Sequence, residues 1–183
     1  PAIGVDMNYY LVTGLSKNTV QGGHYGFNIL SSVVTLMESN ILSSSTADIQ
    51  AKYSTTSTIQ KSFFTGTGTN IHIVDGDFSE IANNAVWSSL YGIILENQDG
   101  DLSDWYQEGA PNDPPGASSS SDGSIHDNDF YKSDLAIGMA SYDVDSIHSN
   151  KFREVDDGVF AYFSDVSKFR LNTVGHDKAI AMN

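Results

Sequence analysis

A single column of small polar residues constrains this chain more than any other feature. Asn18, Ser39, Ser62, Asn84, Asn128, Asn150 and Asn172 follow one another at spacings of 21, 23, 22, 44, 22 and 22 residues. Each has an apolar residue three positions before it and another two positions after it: Leu15/Val20, Leu36/Ile41, Ile59/Phe64, Ile81/Val86, Ile125/Phe130, Ile147/Phe152 and Phe169/Val174. A fixed period near 22 residues with this local pattern predicts a solenoid in which every period is one coil. The interval of 44 reads as two periods, one of them enlarged by an insertion. Stacked coils bring equivalent side chains to about 4.8 Å from one another, so the column is expected to form a hydrogen-bonded Asn/Ser ladder.

The rest of the coil can be read from its best copy, Ser146 to Phe163. After the turn at Asn150 come an apolar residue, a polar stretch, and Gly158 opening the strand Val159-Phe160-Ala161-Tyr162. Matching strands begin at Gly4, Gly26, Asp48, Asn70, Gly92, Ala136 and Ala179, each with period-2 alternation. Three short strands per coil follow. The pattern resembles the right-handed parallel β-helix of pectate-lyase-like proteins over nearly the whole chain. The expected fold is therefore all-β, one parallel β-helix domain over residues 1–183 with about eight coils and a loop insertion at 97–123. The chain begins and stops at a first strand with no cap. That leads to the expectation of a piece of a longer protein, or of another chain covering the ends as a trimer or an end-to-end stack.

Nine basic residues against 23 acidic ones give a net charge of −14, which argues against nucleic acid and an anionic membrane as partners and disfavours polyanionic glycans unless a bound cation or a local basic spot compensates. No stretch is long and apolar enough to span a bilayer. With no cysteine, disulfides and thiolate chemistry are absent.

Alternation places residues one and three of each first strand inward and two and four outward. The inward set is apolar throughout. The outward set is polar in the first half, with Asp6/Asn8, Asn28/Leu30, Gln50/Lys52, His72/Val74 and Ile94/Glu96, and small or aromatic in the second, with Gly138/Ala140 and Phe160/Tyr162. Planar polar groups at a regular rise suit a polysaccharide, so Asp6, Asn8, Asn28 and Gln50 are candidate substrate-binding residues. Trp105 and Tyr106, in the long Gly/Pro/Ser/Asp-rich loop, are candidate stacking residues for a pyranose. His72, Lys52 and Glu96 are the groups on this wall best suited to proton transfer. A lysine there can neutralise a uronate carboxylate and acidify the neighbouring C5 proton.

Two further patterns are weighed against ordinary surface chemistry. Asn97-x-Asp99-x-Asp101-x-Ser103-Asp104 alternates oxygen ligands as calcium loops do, which makes Asp99, Asp101 and Asp104 candidate Ca2+ ligands, although the glycine and the distal glutamate of an EF-hand loop are out of place. His126 and His148 share a coil position and are expected to stack, with no carboxylate at the same position to complete a metal site.

The stretch from Asn18 to Leu30 also resembles coils of the secreted mannuronan C5-epimerases. Tyr25-Gly26-Phe27 matches the start of their catalytic strand, but Asn28, Ile29 and Leu30 stand where Asp, Pro and His are needed, so no catalytic role is carried over to these positions. The polar column beside the aromatic loop leads to the expectation of an extracellular or virion-surface protein that processes or binds a polysaccharide, as an epimerase, lyase or glycoside hydrolase. The competing expectation is a non-catalytic shaft of the tailspike or adhesin kind.

Overall fold

The computed structural model describes residues 2–97, 119–175 and 181–182, and within these every regular element is a strand. The first coil is β1 (Ile3–Asn8), β2 (Leu11–Ser16) and β3 (Thr19–Gln21); the second is β4 (Tyr25–Leu30), β5 (Val33–Glu38) and β6 (Ile41–Ser43). The third is β7 (Ala47–Lys52), β8 (Thr55–Gln60) and β9 (Phe63–Phe64), and the fourth β10 (Thr69–Val74), β11 (Asp77–Ala82) and β12 (Ala85–Trp87). The fifth is β13 (Tyr91–Glu96), β14 (Ser119–His126) and β15 (Asp129–Tyr131). The sixth is β16 (Leu135–Ala140), β17 (Tyr142–His148) and β18 (Lys151–Arg153), and the seventh β19 (Asp157–Tyr162), β20 (Val166–Arg170) and β21 (Thr173–Gly175). An eighth opens with β22 (Ala181–Met182). Every third strand stacks in parallel on the last, giving one sheet of eight strands and two of seven.

The inward alternation holds. Phe27, Ile49, Ile71, Ile93, Ile137 and Val159 align in register down the first sheet, all fully buried. Val34, Ile59, Ile81, Ile125 and Ile147 come in from the second sheet and Leu42, Phe64, Val86, Phe130 and Phe152 from the third. Glycine opens several first strands because the corner is crowded. A Cβ on Gly26 would stand 2.5 Å from the Asp48 carbonyl oxygen, and one on Gly92 2.4 Å from that of Ala136.

The ladder between the second and third sheets exists, but one rung is shifted. Asn40, not Ser39, occupies it: the Asn18 backbone N–H and side-chain amide both donate to Asn40 Oδ1 at 3.0 Å. From there the rungs run Asn40, Ser62, Asn84, Asn128, Asn150 and Asn172, each backbone N–H donating to the next side-chain oxygen. Ser39 is instead the left-handed residue before the rung, φ 58°, as are Lys17, Lys61, Asn83, Asp127, Ser149 and Leu171 in their coils. Its apolar neighbours Leu36 and Ile41 point outward, whereas Met37 and Leu42 supply the core. A second correction concerns the interval of 44. The Asn84 N–H donates directly to Asn128 Oδ1, and β11 pairs with β14, so these residues belong to adjacent coils and the interval is one enlarged coil rather than two. The insertion is also shorter than 97–123, because β14 already starts at Ser119, with a register irregularity between Ser121 and Ser124.

A second ladder, at the corner between the first and second sheets, was not anticipated. The Tyr10 N–H donates to Ser32 Oγ at 3.0 Å and the Ser32 N–H to Ser54 Oγ at 3.1 Å, and each serine hydroxyl donates to the carbonyl two residues before it. Later in the stack the Tyr142 N–H donates to Ser164 Oγ in the same way. Gly76 stands where the serine of the fourth coil would be, and the Tyr142 hydroxyl, stacked beside Phe78, donates to its carbonyl. The signal was legible in the 22-residue spacing of Ser32 and Ser54.

At the corner between the third and first sheets, the Asp48 carboxylate is fully buried. It accepts from the Ser44 N–H at 2.6 Å, the Gly66 N–H at 3.0 Å and the Asn70 amide at 2.8 Å, tying three coils together. Burial raises its pKa above the ordinary carboxylate value, and these donors only partly oppose the shift. A raised folded pKa makes ionisation unfavourable to the fold. The penalty is absent below the ordinary carboxylate pKa, sets in as pH rises through it, and is complete above the raised value. The variant Asp48→Asn, which cannot ionise, is therefore expected to gain urea midpoint relative to the parent as pH rises from about 3 to about 7. A constant difference over that range would contradict this account.

Candidate functional site

The outer wall of the first sheet is where alternation put the candidate residues, and the register confirms their alignment. Asp6, Asn28, Gln50 and His72 are paired in one column, continued by Ile94, Gly138 and Phe160; Asn8, Leu30, Lys52, Val74, Glu96, Ala140 and Tyr162 form the column beside it. The Asn28 amide donates to Asp6 Oδ1 at 2.8 Å, which fixes its orientation and leaves the two as one planar polar unit.

His72 and Glu96 belong to different columns and adjacent coils, yet their side chains meet. His72 Nε2 lies 2.6 Å from Glu96 Oε1, with side-chain exposures of 21% and 11%. The step along β13 from Ile94 to Glu96 carries the carboxylate diagonally past the imidazole, a contact that cross-strand neighbours two residues apart can make. With Nε2–H donating to the carboxylate, Nδ1 is left as the lone-pair nitrogen, so Glu96 selects the tautomer in which that atom is basic. Lys52 lies two rungs from Glu96 in the same column, about 10 Å away. Neutral ground between them is Val74, buried at 6% exposure.

Beyond this dyad the wall changes character. Tyr91, Ile94, Leu135 and Ala140 form a small apolar cluster separate from the core, with Phe160 packed against it. The polar column thus gives way at His72–Glu96 to a buried apolar cluster. Trp105, Tyr106, Asp99, Asp101 and Asp104 lie outside the described residues, and among the described residues there is no group of three or more His, Asp or Glu arranged to hold a metal ion.

The stacked histidines on the second sheet are present, with ring centroids 4.7 Å apart and planes 4° from parallel. Their immediate neighbours at that coil position are Ala82 and Arg170, not carboxylates, but two carboxylates come in from neighbouring positions. Glu80 sits 2.9 Å from His126 Nε2 and Asp127 2.8 Å from Nδ1, one on each side of the ring. The carboxylates engage both nitrogens from opposite edges, which is a buttress and not a metal pocket. His148 has its pKa lowered, first by partial burial and then by His126 and Arg170. A lowered folded pKa means that its neutral form is the one the fold favours. This contribution is present above the ordinary histidine pKa and lost as pH falls through the folded value. His148→Gln is expected to flatten the acid arm of the urea-midpoint profile between about pH 7 and about pH 5. A slope identical to the parent's would remove His148 as its source.

His24, immediately before β4, lines an open cleft with Gly22, Gly23, Ser44 and Thr67, its Nδ1 3.2 Å from Thr46 Oγ1.

Three parallel sheets wound coil upon coil, with an asparagine ladder at one corner and polar side chains in register on an outer wall, define a β-solenoid. Residues 2–174 match the family described as right handed beta helix region, and the chain belongs to that family. No curated protein and no solved structure matches it at a significant level.

Proposed function

We propose that the chain binds an acidic polysaccharide along the outer wall of the first sheet and abstracts a proton from a uronate residue there, as an epimerase or lyase does. The observation that carries this reading is the His72–Glu96 contact of 2.6 Å, where the polar column borders a buried apolar cluster. An oriented imidazole is a competent general base, and a proton next to a carboxylate becomes abstractable when that carboxylate is neutralised. Lys52 supplies the neutralising charge on the same wall. Asp6, Asn28 and Gln50 extend the polar column for neighbouring sugar units. The likeness of Tyr25-Gly26-Phe27 to epimerase coils supports the ligand class, while Asn28, Ile29 and Leu30 lack that family's catalytic triplet, so no role is carried over to this coil. Hydrolysis is less well supported, since it needs two carboxylic groups spaced for a water or a covalent intermediate.

The test is incubation of the full chain with alginate and with polygalacturonate. Elimination is read from the ultraviolet absorbance of unsaturated chain ends, and epimerisation from the anomeric proton resonances. Turnover of either polymer supports the reading. Neither signal with any uronate polymer, calcium added or not, would sink it.

A further inference from the structure

The third sheet carries an outward strip of aromatic residues that the first-sheet wall does not use. Ile41 and Phe63 are register partners, as are Trp87 and Tyr131 one step further along the stack. Phe63 meets Trp87 edge to face with centroids 5.0 Å apart, and Trp87 meets Tyr131 likewise at 5.7 Å. The Trp87 indole nitrogen is buried without an acceptor among the described residues.

Where the aromatic strip ends, cations begin. Lys132 Nζ lies 5.0 Å and the Arg153 guanidinium 5.2 Å from the centroid of Tyr131. Arg153 forks onto the Asp129 carboxylate at 2.8 and 2.6 Å, whereas Lys132 reaches Glu154 only at 3.8 Å, between two exposed side chains. Lys151, the register neighbour of Asp129, is exposed and has no ion-pair partner among the described residues. Three of the nine basic residues of a chain with net charge −14 thus stand on two adjacent coils of one face.

We propose that this strip is a second glycan-contacting surface, with Phe63 and Trp87 against pyranose faces and Lys132 and Lys151 against the carboxylates of an acidic polysaccharide. The charge argument selects the occupant. A polyanion is repelled by most of this molecule, and clustered cations are what allow it to settle here. A neutral glycan has no need of them, and a second copy of the chain would bring another −14 to the encounter. The strip shares its ligand class with the first-sheet wall and none of its residues.

The test exploits the chain's two tryptophans. In a Trp105→Phe variant the emission comes from Trp87 alone and reports on this face. Titration with polygalacturonate or alginate oligosaccharides is expected to shift or quench that emission to saturation. Adding Lys151→Glu, at an exposed position, is expected to raise the dissociation constant about tenfold. No response to either acidic ligand, an equal response to neutral dextran, or an unaltered constant with Lys151→Glu would overturn the proposal. So would emission that changes with protein concentration alone, which would mark the strip as a contact between copies. Failure here leaves turnover at the first-sheet wall untouched, because that activity is measured separately and does not report through Trp87.

Discussion

Asn128→Ala is expected to lower the thermal midpoint by about 6 to 20 °C, the scale set by losing about 3 to 5 kcal/mol in a chain of this size. The size of the effect follows from how many groups depend on one side chain. Asn128 Oδ1 accepts from both the backbone N–H and the amide of Asn84, each at 3.0 Å. Its own amide donates to the Ile81 carbonyl at 2.9 Å and to Asn150 Oδ1 at 3.0 Å. Truncation strands the Asn84 donors and the Ile81 acceptor in a region where Asn84 and Asn128 are almost completely buried, and each buried group left unpaired costs about 1 to 3 kcal/mol. Asn172→Ala, at a part-buried rung, is expected to cost distinctly less, because water can replace the lost partner. Differential scanning calorimetry of the two variants decides the matter. Equal losses at both rungs would mean that burial does not set the strength of the ladder.

His72→Ala is expected to reduce uronate turnover by about a hundredfold or more, the range for removing a positioned acid/base group. Glu96 acts through His72 and is a positioning residue in this scheme. Glu96→Gln retains an oxygen able to accept from Nε2–H but loses the negative charge, so it is expected to cost less than His72→Ala and to displace the pH profile of kcat/KM. A purely structural role for Glu96 would lower the amount of folded protein and leave the profile in place. Lys52→Ala is expected to lower kcat as well as raise KM, since the charge that holds the ground-state carboxylate is also the one that makes the neighbouring proton abstractable. A His72→Ala variant as active as the parent would remove the imidazole from the chemistry.

The repeat was legible because a solenoid imposes the same demand on every coil: the same apolar positions inward, the same turn, the same small polar rung. Where the reading slipped, an outward residue imitated an inward one. Leu36 and Ile41 satisfied the apolar template around Ser39, although Ile41 is 44% exposed and the core residues are their neighbours Met37 and Leu42. The Asn84 to Asn128 interval slipped for another reason, since a residue count that is a multiple of the period cannot distinguish an added coil from an enlarged one. The wall was legible as a face, and Asp6, Asn28, Gln50 and His72 lie on it in the anticipated column. The His72–Glu96 contact was not, because diagonal reach between columns depends on rotamers that spacing does not encode. The third-sheet strip was missed because its strands are two or three residues long, too short for alternation to announce which side chains face out.

The enlarged fifth coil has a wider meaning. Its extra residues depart after β13 and return before β14, while the strands on either side still pair with their neighbours. The solenoid therefore behaves like a spool that takes up extra length in one winding while the strands on either side of it stay paired.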